Sequence, residues 1–175
     1  MDSSDYHAFL AGRSSVRDFT GEPVSGEDLD YLLKCASTAP SAGNLEAWDV
    51  VVVTEEETRE ALAEAAFNQE HVGQAPLILI VCSNYVRSMS RYGERGILYA
   101  LEDATIACTY MMLAARARGL ESCWTGAFDD EGVREVLDLP QHLRPVALLV
   151  VGKGKEPAQS PPRMAVGEHV HHENW

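Results

Sequence analysis

One long apolar segment constrains the fold of this chain more than any other feature of its sequence. Residues 97–118 would form about six helical turns, and apolar side chains occupy most of the circumference of that helix. Glu102 and Asp103 interrupt the segment near its middle, and a charged pair inside a membrane would cost several kcal/mol. We therefore interpret the segment as a buried helix. Because such a helix must be covered on both sides, it indicates a partner subunit in a protein of only 175 residues.

The composition favours one globular domain over residues 1–175, since 46% hydrophobic residues can supply a substantial core. Residues 152–175 show little periodicity, and we expect them to form a C-terminal arm that packs on the partner subunit. A net charge of -13 argues against nucleic acid as a partner, because its phosphates would be repelled. Four cysteines without a CxxC pair indicate free thiols in a reducing compartment. We expect a cytoplasmic protein that neither binds a membrane nor carries a signal peptide.

Apolar runs alternate with helical patterns, which predicts an α/β or α+β sandwich. We predict strands at residues 48–54, 77–82, 122–125 and 145–151. The valine run at residues 50–53 is typical of a strand buried on both faces.

Helix signals predict several further helices besides the long one. These helices lie at residues 5–11, between Ser25 and Pro40, at residues 54–67 and at residues 131–139. Gly12 predicts a left-handed C-cap, Ser25 an N-cap, and Thr54 with Glu57 a capping box.

The segment 13–17 is the first candidate for chemistry. If it is extended, Arg13, Ser15 and Arg17 share one face while Val16 points into the core. Two guanidinium groups beside a hydroxyl suit a phosphate, because an arginine fork matches its oxygens. Taken alone, two arginines at this spacing are more often solvated or paired with acidic side chains.

Five segments in register resemble the nitroreductase family. Residues 13–19 resemble its FMN-phosphate motif, and residues 39–44, followed by Trp48, resemble the loop that contacts the flavin from the other subunit. Residues 67–71 are similar to the segment at the polar edge of the flavin ring. Residues 119–128 resemble the stretch whose backbone lies beside the isoalloxazine, and residues 161–175 resemble the tail whose arginine completes the phosphate site.

The resemblance implies a three-layer α/β/α fold of the α+β class, with a central mixed sheet flanked by helices, in an intertwined homodimer that holds FMN at its interface. It implies an oxidoreductase that transfers hydride from NAD(P)H through flavin N5 to an electron-poor acceptor, a nitroaromatic or a quinone, by a ping-pong mechanism. Flavin N5 would carry the chemistry, so no catalytic side chain and no metal is expected. The implied cofactor-binding residues are Arg13, Ser14, Ser15, Arg17, Pro40, Ser41, Ala42, Asn44, Asn68, His71, Cys123, Trp124, Thr125, Gly126, Ala127 and Arg163.

Two departures from the family pattern bear on the substrate and on the flavin. Glu46 and Ala47 stand where the family often has Gln-Pro, and the carboxylate could repel an anionic substrate. His71 stands where some members carry lysine, so stabilisation of the reduced ring would depend on pH. The alternatives are a specialised member, such as a reductive dehalogenase or a flavin-processing enzyme, and a non-catalytic flavin-binding or electron-transfer protein. Rapid bleaching of the flavin by NADH or NADPH without oxygen would distinguish an enzyme from that last class.

Overall fold

A computed structural model describes residues 2–155 and 162–175 of the chain. The helices are α1 (Ser3–Ala11), α2 (Gly26–Ala36), α3 (Glu56–Ala65), α4 (Glu70–Gln74), α5 (Tyr85–Tyr92), α6 (Arg95–Ala117) and α7 (Asp130–Val136). The strands are β1 (Trp48–Val53), β2 (Leu77–Asn84), β3 (Glu121–Thr125) and β4 (Leu143–Gly152). Short 3-10 turns lie at Ala42–Asn44 and Val166–Glu168.

The four strands form one sheet in the order β1-β2-β4-β3. Every strand pair in the described part of the chain is antiparallel, so the prediction of a mixed sheet is wrong there. The mixed sheet was implied by the resemblance, whereas the apolar runs indicate only that the strands are covered on both faces. Here helices cover both faces of an antiparallel sheet, and β2 is buried along its whole length.

Helices lie on both faces of the sheet and form two separate cores. On one face, α2 and α6 pack on alternate strand residues such as Leu79 and Leu149. On the other face, α3, α4 and α7 pack on the intervening residues, such as Ile80 and Val150. The predicted three-layer arrangement of the α+β class is therefore confirmed.

The first strand differs from its prediction in burial. The valine run was expected to be covered on both faces, but Val52 is 39% exposed and only Val53 is fully buried. The reason is position in the sheet, because β1 is an edge strand with a single neighbour among the described residues.

Three helix-end predictions have different outcomes. Ser25 caps α2 by accepting a hydrogen bond from the Asp28 N–H, as predicted. The capping box at Thr54 is wrong, because the chain stays extended through Glu55 and α3 begins at Glu56. Gly12 is not left-handed either, with φ at -77°. A Cβ there would meet the movable guanidinium end of Arg116 and would lie 3.1 Å from the Ala8 carbonyl oxygen.

The long helix α6 lies close to its predicted bounds and is covered on one side. Ala104, Cys108 and Met111 are buried in the core that α6 shares with the sheet. Ile97, Leu98, Leu101 and Tyr110 are exposed on the same helix. By length and composition α6 could span a membrane. Its packing on the sheet and its buried carboxylate, Asp103, instead identify it as a core helix.

Candidate functional site

The segment 13–17 lies against the edge strand β3, where the Val16 N–H donates to the Ser122 carbonyl at 3.1 Å. Burial alternates along it as predicted. Ser14 and Val16 are buried, Arg13 and Ser15 are half-buried, and Arg17 is exposed. Among the described residues, no carboxylate forms an ion pair with Arg17, although the chain has 27 acidic residues. Of the two alternatives for such arginines, solvation or pairing with an acid, Arg17 therefore shows no pairing within the described chain, and its exposed side chain is open to solvent.

His71 joins this segment to the end of β3. Its Nε2 atom lies 2.8 Å from Thr125 Oγ1, and both side chains are buried. Burial lowers the pKa of His71 from its ordinary value of 6.5, and the positive charge of Arg17 lowers that pKa further. The imidazole is therefore neutral at pH 7. The Val16–Ser122 and His71–Thr125 hydrogen bonds together bring the segment 13–17 and α4 to the same strand, β3.

The side chain of Gln69 fixes the next part of the site. Its amide nitrogen donates to the Ala66 carbonyl at 2.8 Å and to the Ala127 carbonyl at 2.7 Å. Between these anchors the backbone has positive φ at two residues without a glycine, Phe67 at 59° and Asn68 at 58°. Such backbone costs about 1–2 kcal/mol per residue, so its surroundings must hold it in place. The sequence analysis did not predict a role for Gln69. The feature that could have indicated this role is its amide side chain, which lies inside the motif at residues 67–71.

The turn after β3 presents bare backbone to solvent. Gly126 and Ala127 are exposed, and a Cβ at Gly126 would meet Trp124 Nε1 at an ordinary 3.5 Å. Nothing in the described chain therefore requires glycine at position 126, which leaves room for a group from outside the chain. The side chain of Cys123 points into the core, so only its backbone can line this site.

The predicted flavin-contacting loop lies elsewhere. Pro40, Ser41, Ala42 and Asn44 precede β1, at the sheet edge opposite to β3. Three strand spacings of about 4.8 Å separate these edges, a distance of roughly 14 Å. One chain therefore does not bring the two groups of predicted site residues together.

A buried carboxylate that the sequence analysis treated only as a break in an apolar helix holds this loop. Asp103 on α6 is 2% exposed, and its two oxygens accept hydrogen bonds from the Ala42 N–H at 2.8 Å and the Ala47 N–H at 3.0 Å. The sequence did offer a sign of this role, because a carboxylate buried on the inner face of an apolar helix needs hydrogen-bond partners.

The C-terminal segment is separate from both groups. Arg163 is exposed, and within residues 2–155 and 162–175 no hydrogen bond or ion pair joins it to the other predicted site residues. Trp175 is 99% exposed, and its ring stacks on the His171 ring at 4.2 Å between centroids. The described tail thus lies away from the core of its own subunit.

Known proteins share this architecture. The structure of NfrA2 from Bacillus megaterium superimposes with a TM-score of 0.91 at 30% identity, over 100% of this chain and 76% of that one. A family model described as the nitroreductase family matches residues 10–72 and 65–153. The chain belongs to the nitroreductase family.

Characterised relatives agree with this assignment. The chain is 29% identical to the FMN reductase (NADPH) of Bacillus subtilis, over 94% of this chain and 72% of the relative. It is 32% identical to the NADH dehydrogenase of Thermus thermophilus, over 80% of this chain and 82% of the relative. The predicted family is confirmed, and so is the predicted class of enzyme, an oxidoreductase. The first relative's name contains FMN and NADPH, in agreement with the predicted cofactors.

Proposed function

We propose that this protein is an FMN-dependent oxidoreductase that takes hydride from NAD(P)H and delivers it to an electron-poor acceptor by a ping-pong mechanism. The observation that carries the proposal is the convergence of Arg17, the His71–Thr125 pair and the bare turn at Gly126 and Ala127 beside β3. The bound flavin would supply the hydride chemistry, and the protein supplies binding and orientation.

The charges at this site suit a phosphate group. Arg17 is exposed and forms no ion pair with a carboxylate in the described chain, so its guanidinium can neutralise a phosphate without first leaving a partner. Arg13 lies on the same segment, with Ser15 between the two arginines. Arginine binds phosphate oxygens through paired N–H donors, which suits this arrangement. Arg163 would join them from the C-terminal arm.

The opposite end of the site suits the polar edge of a flavin ring. The neutral imidazole of His71 and the hydroxyl of Thr125 can exchange a hydrogen bond and still offer a further donor or acceptor. Gln69 holds the turn at Ala127 in place, so the backbone beside the ring is fixed before a ligand arrives. Asn68 is exposed next to these groups.

We infer that the functional unit is a homodimer, with the flavin held between the loop of one subunit and the β3 edge of the other. Three features of the single chain support this arrangement. Apolar side chains of α6 are exposed, the loop at residues 40–44 is at the wrong sheet edge to serve its own β3, and the tail leaves its own core. The predicted arm at residues 152–175 is wrong at its start, because Gly152 belongs to β4 and Gly154 pairs with Phe19 of the same chain. Residues 162–175 are the described part of the arm that would pack on the partner. The four free cysteines fit the proposed cytoplasmic location.

Anaerobic stopped-flow spectroscopy of the purified protein tests the proposed function. We expect a yellow protein that releases FMN on denaturation, bleaches rapidly with NADH or NADPH, and regains its colour with a quinone or a nitroaromatic. Free FMN belongs among the acceptors tried, because the Bacillus subtilis relative is named an FMN reductase. A protein that takes up no FMN would overturn the proposal. A protein that binds FMN but is not reduced by either nucleotide would be the flavin-binding alternative.

A further inference from the structure

We propose that Asp103 is a positioning residue that acts across the subunit interface. Its carboxylate holds the loop at residues 40–47 in the shape that the flavin site of the neighbouring subunit requires. This inference rests on the proposed function, and it assigns to a buried side chain a role in a site that its own chain does not complete.

The geometry is that of a clamp. The two oxygens of Asp103 accept the N–H groups of Ala42 at 2.8 Å and of Ala47 at 3.0 Å. These two residues bracket the loop, and Ala47 leads directly into β1. Asp103 itself lies on α6, the most extensive rigid element of the chain. The loop is therefore anchored to the core helix at its beginning and at its end.

The loop needs such an anchor because its backbone is strained. Two residues other than glycine have positive φ, Asn44 at 58° and Glu46 at 47°. Non-glycine residues adopt positive φ only when their surroundings impose it. Hydrogen bonds to a carboxylate are stronger than those to a neutral acceptor, and this one is shielded from water. Releasing either end would let the loop relax away from the shape that it has.

The anchor leaves the predicted contact residues available. Pro40 and Asn44 are exposed, while the backbone N–H groups of Ala42 and Ala47 point inward to Asp103. The clamp therefore uses main-chain groups alone and keeps the outward side of the loop for the neighbour's flavin. Asp103 is too deeply buried to touch a ligand on the outward side of the loop. It can therefore act on such a ligand only by positioning the loop.

Replacement by asparagine isolates the clamp. Asp103→Asn keeps the size of the side chain but replaces one acceptor oxygen by an NH2 group, which must then face a backbone N–H. We expect FMN to bind at least about tenfold more weakly, because a hydrogen bond to a charged group is lost and a donor is left unpaired. Asp30→Asn is the matched control, since it makes the same substitution at an exposed position of α2, away from the loop. Its FMN affinity should stay within about twofold of wild type.

Mixed dimers test whether the effect crosses the interface. We would co-express Arg17→Ala and Asp103→Asn subunits with different affinity tags, isolate the mixed dimer and titrate it with FMN. If Asp103 serves the neighbour's site, both defects fall on one site and the other site is intact. The mixed dimer should then bind one FMN per dimer with wild-type affinity, although both parent homodimers bind weakly. A general loss of stability caused by Asp103→Asn would not produce this recovery.

A second variant keeps the test informative if Asp103→Asn fails to fold. Asp103→Ser removes both carboxylate oxygens from the Ala42 and Ala47 N–H groups, and its small hydroxyl can donate to a backbone carbonyl of its own helix instead of staying unpaired. Mixed dimers of Arg17→Ala with Asp103→Ser should recover one site in the same way.

The outcomes separate this inference from the proposed function. A wild-type protein that binds no FMN refutes the proposed function itself. If the wild type binds FMN, then unchanged affinity in Asp103→Asn refutes the role of Asp103. Mixed dimers with two equally weak sites would show that any such role acts within one subunit, and would overturn the inference.

Discussion

His71 and Arg17 show how two side chains set the electrostatics of the site. Burial removes the imidazole from water, and the nearby guanidinium makes a second positive charge unfavourable, so the pKa of His71 falls below 6.5. A bound phosphate would cancel part of the charge on Arg17. The site therefore combines the positive charge of Arg17 with a neutral hydrogen-bonding ring, a combination suited to a ligand with an anionic and a polar end.

The lowered pKa of His71 predicts a pH dependence of stability. An unfolded chain protonates this histidine as pH falls below about 6.5, whereas the folded chain does so only at lower pH. The unfolded state then binds more protons, so the free energy of unfolding should fall as pH decreases from about 6.5 towards the lowered pKa. His71→Gln should lose this component, and urea titrations between pH 7 and pH 5 would measure it. Equal slopes in the two proteins would contradict the prediction.

Arg17 gives the second prediction at this scale. Arg17→Ala should weaken FMN binding by about 1.5–3 kcal/mol, the range for a hydrogen bond to a charged group. Binding should also become less sensitive to salt, because one charge pair has gone. Fluorescence titration at two ionic strengths would measure both effects. Arg144→Ala is the control, as it removes the same charge from an exposed ion pair with Asp130.

Among the elements, the loop before β1 depends most on tertiary contacts. Gly43 lies under the side chains of α5, where a Cβ would come within 2.3 Å of Tyr92 Oη and 2.8 Å of Arg91 Nη1. Arg91 also donates to the Gly43 carbonyl at 3.2 Å. The loop is thus held by α5 from one side and by Asp103 on α6 from another, which makes its shape a property of the packed helices.

Gly43→Ala should therefore cost more than its backbone conformation alone. A left-handed alanine costs about 1–2 kcal/mol, and displacement of Tyr92 and Arg91 adds to that. Gly21→Ala is the control, because Gly21 also has positive φ, at 79°, with no atom within 4 Å of the added Cβ. Urea unfolding should show a larger loss for Gly43→Ala, and only this variant should weaken FMN binding. Equal losses would show that the contacts with α5 do not matter.

The same elements show what the sequence could and could not predict. The central strands and the cap at Ser25 depend on local runs and local hydrogen bonds, so their residues alone predict them. The exposure of Val52 depends on how many strands flank β1, which is decided by distant segments. For the same reason the role of Asp103 was missed, since its partners lie 61 and 56 residues earlier. The convergence of Arg17, His71 and Thr125 followed from the family resemblance and not from any local pattern.

At the scale of the whole molecule, the predicted site residues form two groups that a single chain does not bring together. Candidate site residues occupy both outer edges of one sheet, and the apolar face of α6 has no cover within the described chain. The proposed symmetric pair of subunits would account for both features, because it would bring the loop of each subunit to the β3 edge of the other and bury α6. We expect more than about 2,000 Å² to be buried, as in obligate dimers.

The last prediction is that subunit association, stability and flavin content change together in the proposed dimer. If folding and association are inseparable, the apparent stability should rise with protein concentration.

Leu101→Glu would place a charge on the open face of α6, where Leu101 is 41% exposed in the single chain. It should yield monomers with little FMN, whereas Tyr31→Glu, at a matched exposure of 39% on α2, should remain dimeric. Deleting residues 165–175 should likewise weaken the dimer and lower its FMN occupancy, since Val166 is 77% and Trp175 99% exposed in the single chain. Light scattering combined with flavin absorbance would measure both quantities in one run. A full-length monomer that retains FMN would refute this architecture, because the loop and the β3 edge would then have to meet within one chain.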